Sequence, residues 1–250
     1  MPHRFFIPPE WLTGSTAAIT GPQAHQIARV LRMRPGDHVV VLDDAGWEFE
    51  VQLLAVRPEI VKGEVVSRRP AAGEPHTRIT LYQGMLKTDR FEFVLQKGTE
   101  LGIVEFVPLI TARTVALDRD APGKKHARWC SIVQEAAEQS RRGRKPVLRP
   151  AMPFAQACDE VSRRAGLKLL PWEEESEVSL RGVLRAEASS GPEAAVHLFV
   201  GPEGGFSQDE VELAQGHGLL PVTLGRRILR AETAGLVAAT AVLYERGDLE

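Results

Sequence analysis

Apolar and polar residues follow two different rhythms along this 250-residue chain. In residues 1–72 the apolar runs are short. Val39–Leu42, the turn Asp43-Asp44-Ala45-Gly46 and the period-two segment Trp47–Leu53 predict a hairpin. Pro58 breaks the chain before a further strand over Ile60–Val66. Gln23–Leu31 reads as a short helix between Gly21-Pro22 and Pro35-Gly36. Short strands with one helix predict a small β-barrel-like module over residues 1–72. Pro70-Ala71-Ala72-Gly73-Glu74-Pro75 reads as a linker.

From Arg78 onward strand and helix patterns alternate. Strands are expected over Ile79–Tyr82, Val104–Ile110, Leu167–Leu170, Val196–Val200 and Leu219–Leu224. Helices are expected over Asp89–Leu101 with Gly102 as its stop, over Ala127–Arg142, near Ser179–Ala188 and over Glu232–Glu245. Ser207-Gln208-Asp209-Glu210 has the form of a capping box, which opens another. Such alternation predicts an α/β domain over residues 73–250, its sheet mostly parallel and covered by helices on both faces. Ala186–Ala195, rich in small residues, reads as a surface loop.

Composition changes this picture little. With 43% hydrophobic and 26% charged residues the chain is ordinary globular material, and its net charge of −2 points to no polyanion. Cys130 and Cys158 stand in no motif, so free thiols in a reducing, cytoplasmic setting are expected. The seven histidines show no metal-ligand spacing, and no metal is expected. No apolar run approaches the ~20 residues of a membrane span, and the N-terminus is too short in apolar residues for a signal peptide.

The distribution of charge says more. Between Lys124 and Arg149 eight basic residues face only Glu135 and Glu138, about +6 in a chain that is net negative. Concentrated charge of one sign is the footprint of phosphate-backbone binding, so Arg141, Arg142, Arg144 and Lys145 are candidate RNA contacts. Arg29, Arg32 and Arg34 form a weaker second group.

Two strands end at glycine turns that lead into helices: Val196–Val200 into Gly201-Pro202-Glu203-Gly204-Gly205-Phe206, and Pro221–Leu224 into Gly225. Strand ends of this kind are the usual ligand crevice of an α/β sheet. Glu203 would repel a phosphate, and neither a dinucleotide fingerprint nor a Walker lysine occurs. The turns therefore suit a ligand offering hydroxyls or positive charge.

Five segments in order carry a family resemblance: His3-Arg4-Phe5-Phe6; His25–Asp43; Lys87-Thr88-Asp89-Arg90 with Gln96–Gly102; Gly201–Phe206; and Leu224–Ala234. Together they resemble the RsmE family, bacterial 16S ribosomal RNA uracil-N3 methyltransferases of the knotted SPOUT class, over nearly the whole chain. The family usually has Glu-Gln-Ser-Gly-Arg where this chain has Glu138-Gln139-Ser140-Arg141-Arg142. The resemblance implies a PUA-like β-barrel followed by a trefoil-knot α/β domain, a homodimer, and S-adenosylmethionine as cofactor. The cofactor would be held by Phe199, Val200, Gly201, Glu203, Gly204, Leu224, Gly225, Leu229, Arg230, Ala231, Glu232, Thr233 and Ala234. It adds Arg4, Lys87 and Lys97 to the candidate RNA contacts, and 16S ribosomal RNA of the small subunit as partner.

Methylation at uracil N3 needs an unpaired base, removal of a proton and stabilisation of charge on O2 and O4. No residue identifies itself as the base; Arg4, Arg142 and Arg230 are candidates for contacting base, RNA or cofactor. A non-catalytic RNA-binding or ribosome-assembly factor, and a knotted methyltransferase acting on another RNA position, stay open as alternatives.

Overall fold

The structure, a computed structural model, describes residues 2–114, 121–187 and 195–249, without the side chains of residue 88 and residues 121–124. The loop expected over Ala186–Ala195 thus lies mostly outside the described residues. The chain forms two compact units, residues 1–74 with 137–145, and residues 75–136 with 146–250. No helix among the described residues is long and apolar enough to cross a membrane.

The first unit is built on a sheet of strands β1 (Arg4–Phe6), β2 (Leu12–Thr13), β3 (Thr16–Thr20), β4 (His38–Leu42), β5 (Trp47–Val56) and β6 (Ile60–Pro70), ordered β1-β4-β5-β6-β3-β2. Only the β1–β4 pairing among them is parallel. The predicted hairpin is β4–β5. Its turn closes because the Asp43 carboxylate accepts from the Ala45 and Trp47 amides at 2.8 and 3.1 Å, while Asp44 and Gly46 take the left-handed backbone the reversal requires. Register shifts at Glu50/Val51 and Leu53/Ala55 mark bulges that add local twist between β5 and β6. The helix expected over Gln23–Leu31 begins earlier, at Gly21, and changes pitch: α1 (Gly21–His25) runs into a π-turn over Gln26–Val30, closed by the Leu31 amide donating to the Gln26 carbonyl at 2.9 Å.

β4 is buried on both faces, which explains its unbroken apolar run. Val39 and Val41 join the core with Phe5, Ile19, Ile27, Val51, Leu53 and Val61. Val40 and Leu42 point the other way, where Phe6 and Ala137 cover them. Residues 137–145 thus belong to this unit by packing, although they lie far from it in sequence.

The second unit holds an all-parallel sheet of β7 (Arg78–Gly84), β8 (Glu105–Ile110), β9 (Val147–Leu148), β10 (Met152–Pro153), β11 (Leu167–Pro171), β12 (Ala195–Val200) and β13 (Leu220–Val222). The order is β10-β8-β7-β12-β11-β13, with β9 on β8. Its helices are α2 (Thr88–Leu101), α3 (Ala121–Gln139), α4 (Phe154–Ser162), α5 (Leu180–Ala186), α6 (Gln208–Gly216) and α7 (Ala231–Glu245). Alternate strand residues feed two cores. Ile79, Leu81, Val196, Leu198 and Leu169 pack with α2, α3, α5 and α7 on one face. Tyr82, Val107, Leu170 and Phe199 pack with α4 and α6 on the other. This is the α/β arrangement with covered faces that the alternation predicts.

Boundaries follow local chemistry. Gly102, at φ 111°, stops α2. The capping box of α6 is formed in both directions, Ser207 Oγ accepting from the Glu210 amide at 3.2 Å and Glu210 Oε2 from the Ser207 amide at 2.9 Å. Two expectations are corrected. The helix expected over Ala127–Arg142 runs Ala121–Gln139, and it ends early because Arg141 turns left-handed at φ 64°. The sequence reading also passes over α4, only nine residues long and beginning directly after Pro153.

Candidate functional site

The two glycine turns meet the end of a third strand around one cleft of about 720 Å³ in the second unit. After β12 the first turn folds back on itself: the Gly205 amide donates to the Pro202 carbonyl at 3.0 Å, with Gly205 at φ 68°. A Cβ on Gly201 would lie 3.0 Å from the Gly205 carbonyl carbon. From below, Gln83 Nε2 donates to the Gly201 carbonyl at 3.2 Å. β7 approaches so closely that a Cβ on Gly84 would lie 2.7 Å from the Gly201 carbonyl carbon. Backbone therefore sets the shape of this wall, and only glycine fits it.

The second turn is held by Thr223, whose amide donates to the Val178 carbonyl at 2.8 Å and whose Oγ1 accepts from the Gly225 amide at 3.2 Å. Arg226–Leu229 then lead to α7, where the Arg230 carbonyl accepts from the Thr233 and Ala234 amides at 2.8 and 2.9 Å. The third wall is the end of β11, Pro171-Trp172-Glu173, fixed by the Trp172 amide donating to the Val222 carbonyl at 3.1 Å. All three strands contribute their C-terminal ends, where ligands of open parallel sheets bind.

Charge enters from α2. Arg90 lines the cleft, with Nη1 3.6 Å from Glu203 Oε1 and Nε 3.8 Å from Glu232 Oε1. Glu203 Oε1 also accepts from the Lys87 amide at 3.2 Å. Two wall groups, the acceptor Glu232 Oε2 and the donor Trp172 Nε1, are buried with no hydrogen-bond partner among the described residues. Unpartnered buried polar groups are costly unless a ligand or water completes them. The wall thus offers a ligand one free acceptor, at Glu232, and one free donor, at Trp172, with Arg226, Arg227 and Arg230 also on its lining.

Ten of the expected cofactor residues line this cleft: Val200, Gly201, Glu203, Leu224, Gly225, Leu229, Arg230, Ala231, Glu232 and Ala234. Phe199, Gly204 and Thr233 stand outside its wall. Strand alternation turns Phe199 to the other face of the sheet, stacked on Tyr82 at 4.1 Å, and the Gly204 carbonyl accepts from Arg113 Nη1 at 2.9 Å. Arg90, Trp172 and Glu173 were not anticipated as site residues. Arg90 lies within the quoted Lys87–Arg90 segment, the one sequence signal that could have found it; nothing local marks Trp172 or Glu173.

The arginines expected to meet RNA have different surroundings. In the first unit Arg29, Arg32, Arg141 and Arg144 are exposed. Arg142 is buried against Glu74, Nη2 to Oε2 at 3.1 Å, and Lys145 Nζ lies 3.3 Å from Asp44. Arg4 and Arg69 both bond the Glu48 carboxylate; burial works against that charge, but the two guanidiniums outweigh it and hold its pKa below the usual range. In the second unit Lys87 is exposed and Lys97 pairs with Glu100 at 2.8 Å. Of the three candidate catalytic arginines, Arg230 lines the cleft, whereas Arg4 and Arg142 lie in the other unit, engaged with carboxylates.

A half-buried charged group lies away from the cleft. Glu105, at the start of β8, meets Arg149 at 3.1 Å and Arg164 at 2.9 Å, and both arginines bond Glu160. Burial raises its pKa, and the arginines more than reverse the effect. Burial pushes the neighbouring Tyr82 hydroxyl up to about 12 and holds the His197 imidazole below its ordinary value. None of these groups lines the cleft.

Residues 73–243 match a family model described as an RNA methyltransferase domain, and residues 19–66 match an RNA methyltransferase PUA domain. The ribosomal RNA small subunit methyltransferase E of Bacillus subtilis (strain 168) is 35% identical over 239 residues, covering 93% of each chain. A crystal structure of ribosomal RNA small subunit methyltransferase E from Neisseria gonorrhoeae, bound to S-adenosyl methionine, is 30% identical with a TM-score of 0.86 over 98% of both chains. A structure from Legionella pneumophila with the bound cofactor SAM is 31% identical, with a TM-score of 0.85 over 98% of both chains. With both modules matched in order and relatives alike over nearly its full length, this chain belongs to the PUA-bearing RNA methyltransferase family that includes the ribosomal RNA small subunit methyltransferase E proteins.

Proposed function

We propose that this chain methylates N3 of a uridine in the 16S ribosomal RNA of the small ribosomal subunit, with S-adenosylmethionine as methyl donor. The observation that carries this reading is the main-chain cleft at the ends of β11, β12 and β13, with Glu203 and Glu232 on its wall and Glu232 Oε2 buried without a partner among the described residues. The residues present fit the cofactor. Main chain at Leu224, Gly225 and Leu229 suits the edge of an adenine, and the carboxylates suit a cationic tail. Family membership and the cofactor seen in two related structures support the same reading.

When bound, the cofactor supplies an electrophilic methyl group on a sulfonium. The protein's part is positioning and charge. Loss of the N3 proton to water leaves negative charge spread over N3, O2 and O4, and that charge is discharged as N3 takes the methyl group and the sulfonium becomes a neutral thioether. In this reading Arg230, exposed at the entrance of α7 and lining the cleft, holds that charge with its guanidinium fork. The base must leave its helix to reach the cleft, and the exposed Arg29, Arg32, Arg141 and Arg144 offer positive charge for the RNA backbone.

A homodimer belongs to the same proposal. α7 is rich in apolar residues around its whole circumference, yet Val237 and Tyr244 are exposed on it. A helix apolar all round is normally covered, and a second copy of this chain would cover it.

The test is transfer of labelled methyl from S-adenosylmethionine into small-subunit ribosomal RNA, with mass-spectrometric mapping of the product nucleoside. N3-methyluridine at a single site is expected. Methylation at a ribose hydroxyl would overturn the position, and binding of RNA without methyl transfer would overturn the activity.

A further inference from the structure

Four carboxylates line the cleft, and Arg90 is the one basic side chain among the described residues that reaches two of them, Glu203 and Glu232. Its nitrogens lie 3.6 and 3.8 Å from Glu203 and Glu232, close enough for charge attraction but beyond the reach of a well-formed hydrogen bond. Glu232 keeps one oxygen buried with no hydrogen-bond partner among the described residues. Arg226, Arg227 and Arg230 also line the cleft, but among the described residues Arg90 is the one cation within ion-pair distance of these two acids. An arginine held only by long contacts is readily exchanged for another cation.

We propose that Arg90 is the internal counter-cation of the cleft, competing with the positive charge of the ligand for Glu203 and Glu232 and so setting the discrimination between cationic and neutral adenosyl ligands. The inference rests on the reading that the cleft holds an adenosyl sulfonium. S-Adenosylmethionine carries one net positive charge through its sulfonium; the thioether product, S-adenosylhomocysteine, carries none. The sulfonium of the substrate and Arg90 then share the two acids, and each cation weakens the hold on the other. Once the methyl group has left, the sulfur is neutral and Arg90 alone faces Glu203 and Glu232. The arginine thereby weakens the hold on substrate and product to different extents. It acts through the two acids and is a positioning residue.

The experiment is calorimetric titration of the full-length chain with S-adenosylmethionine and, separately, S-adenosylhomocysteine, for wild type, Arg90→Met, Arg90→Lys and Glu232→Gln. Each variant is first checked by thermal melting. Removing a competing cation from a partly exposed site is expected to raise the preference for the cationic ligand about threefold to tenfold in Arg90→Met, an effect that fades with added salt. Arg90→Lys should stay near the wild-type ratio, and Glu232→Gln should lower it. An unchanged ratio in Arg90→Met, or equal weakening of both ligands, overturns the proposal and leaves the cofactor assignment standing. A folded wild type that binds neither ligand overturns the cofactor assignment itself, and this inference with it.

Discussion

The guanidinium of Arg142 is 2% exposed and meets the Glu74 carboxylate at 3.1 Å. The same carboxylate accepts from the Gly143 and Arg144 amides at 3.0 and 3.1 Å. A residue that reads in sequence as part of a basic RNA-binding run is, in the folded unit, the partner that fastens residues 137–145 to residue 74.

Removing one member of such a pair leaves a buried charge uncompensated. Arg142→Met should therefore destabilise the protein by about 3 kcal/mol, the low end for buried pairs because Glu74 keeps some contact with water. Denaturant unfolding measures this. The salt dependence of RNA binding by the variant, taken well below its melting point, should match wild type, whereas charge reversal at Arg29 and Arg32 should weaken binding and flatten the dependence.

Arg141 occupies the left-handed position after α3, and the Arg142 amide donates to the Ala137 carbonyl at 2.9 Å, the closing bond of a Schellman motif. The family usually has glycine here, and φ 64° explains why. Arg141→Gly relieves the left-handed strain but adds freedom to the unfolded chain. The balance is a gain of roughly 0.5 kcal/mol, read as a small rise in melting temperature. A loss of stability would show that the Arg141 side chain contributes more than its backbone costs.

Gly84 carries no side chain because the first glycine turn lies against it. Gly84→Ala places a methyl group 2.7 Å from the Gly201 carbonyl carbon and 2.8 Å from Pro202 Cδ, so the turn must move. Affinity for S-adenosylmethionine should fall at least about tenfold, since a wall of main chain cannot relax as a side chain does. Calorimetry checks it; wild-type affinity would mean that the turn does not touch the ligand.

Acid should loosen the second unit in two stages. His197 is buried and its pKa lies below 6.5 in the folded state, so the unfolded chain takes up a proton first as pH falls. Stability is then lost as pH drops below about 6.5. Glu105, whose pKa is lowered from 4.5 because its arginine partners outweigh burial, adds a second loss as pH falls through 4.5. At the alkaline end Tyr82, pushed to about 12 by burial, costs stability above pH 10. Thermal melts across pH test the series, and His197→Phe should remove the first stage alone.

Much of the fold was legible in local pattern. The hairpin at Asp43–Gly46, the stop at Gly102 and the capping box at Ser207–Glu210 all depend on residues a few positions apart, and each formed as read. The glycine turns were legible as a site because a strand that stops at glycine before a helix exposes its main chain. The extent of α3 was less so, since its end depends on Arg141 adopting a conformation that an arginine rarely takes. Arg90, Trp172 and Glu173 reach the cleft from elements far apart in sequence, and no spacing announces that.

The order of residues by itself determined the alternation of strand and helix, the turns at Asp43–Gly46 and Gly102, and that an acid stands where a phosphate would be unwelcome. These are matters of neighbouring atoms. Only the tertiary structure decided which charges are spent inside the protein, as at Arg142 and Arg4, and which line the cleft, as at Arg90. Burial and pairing are set by residues brought together from distant parts of the chain, and a charge's role follows from the partners it finds there.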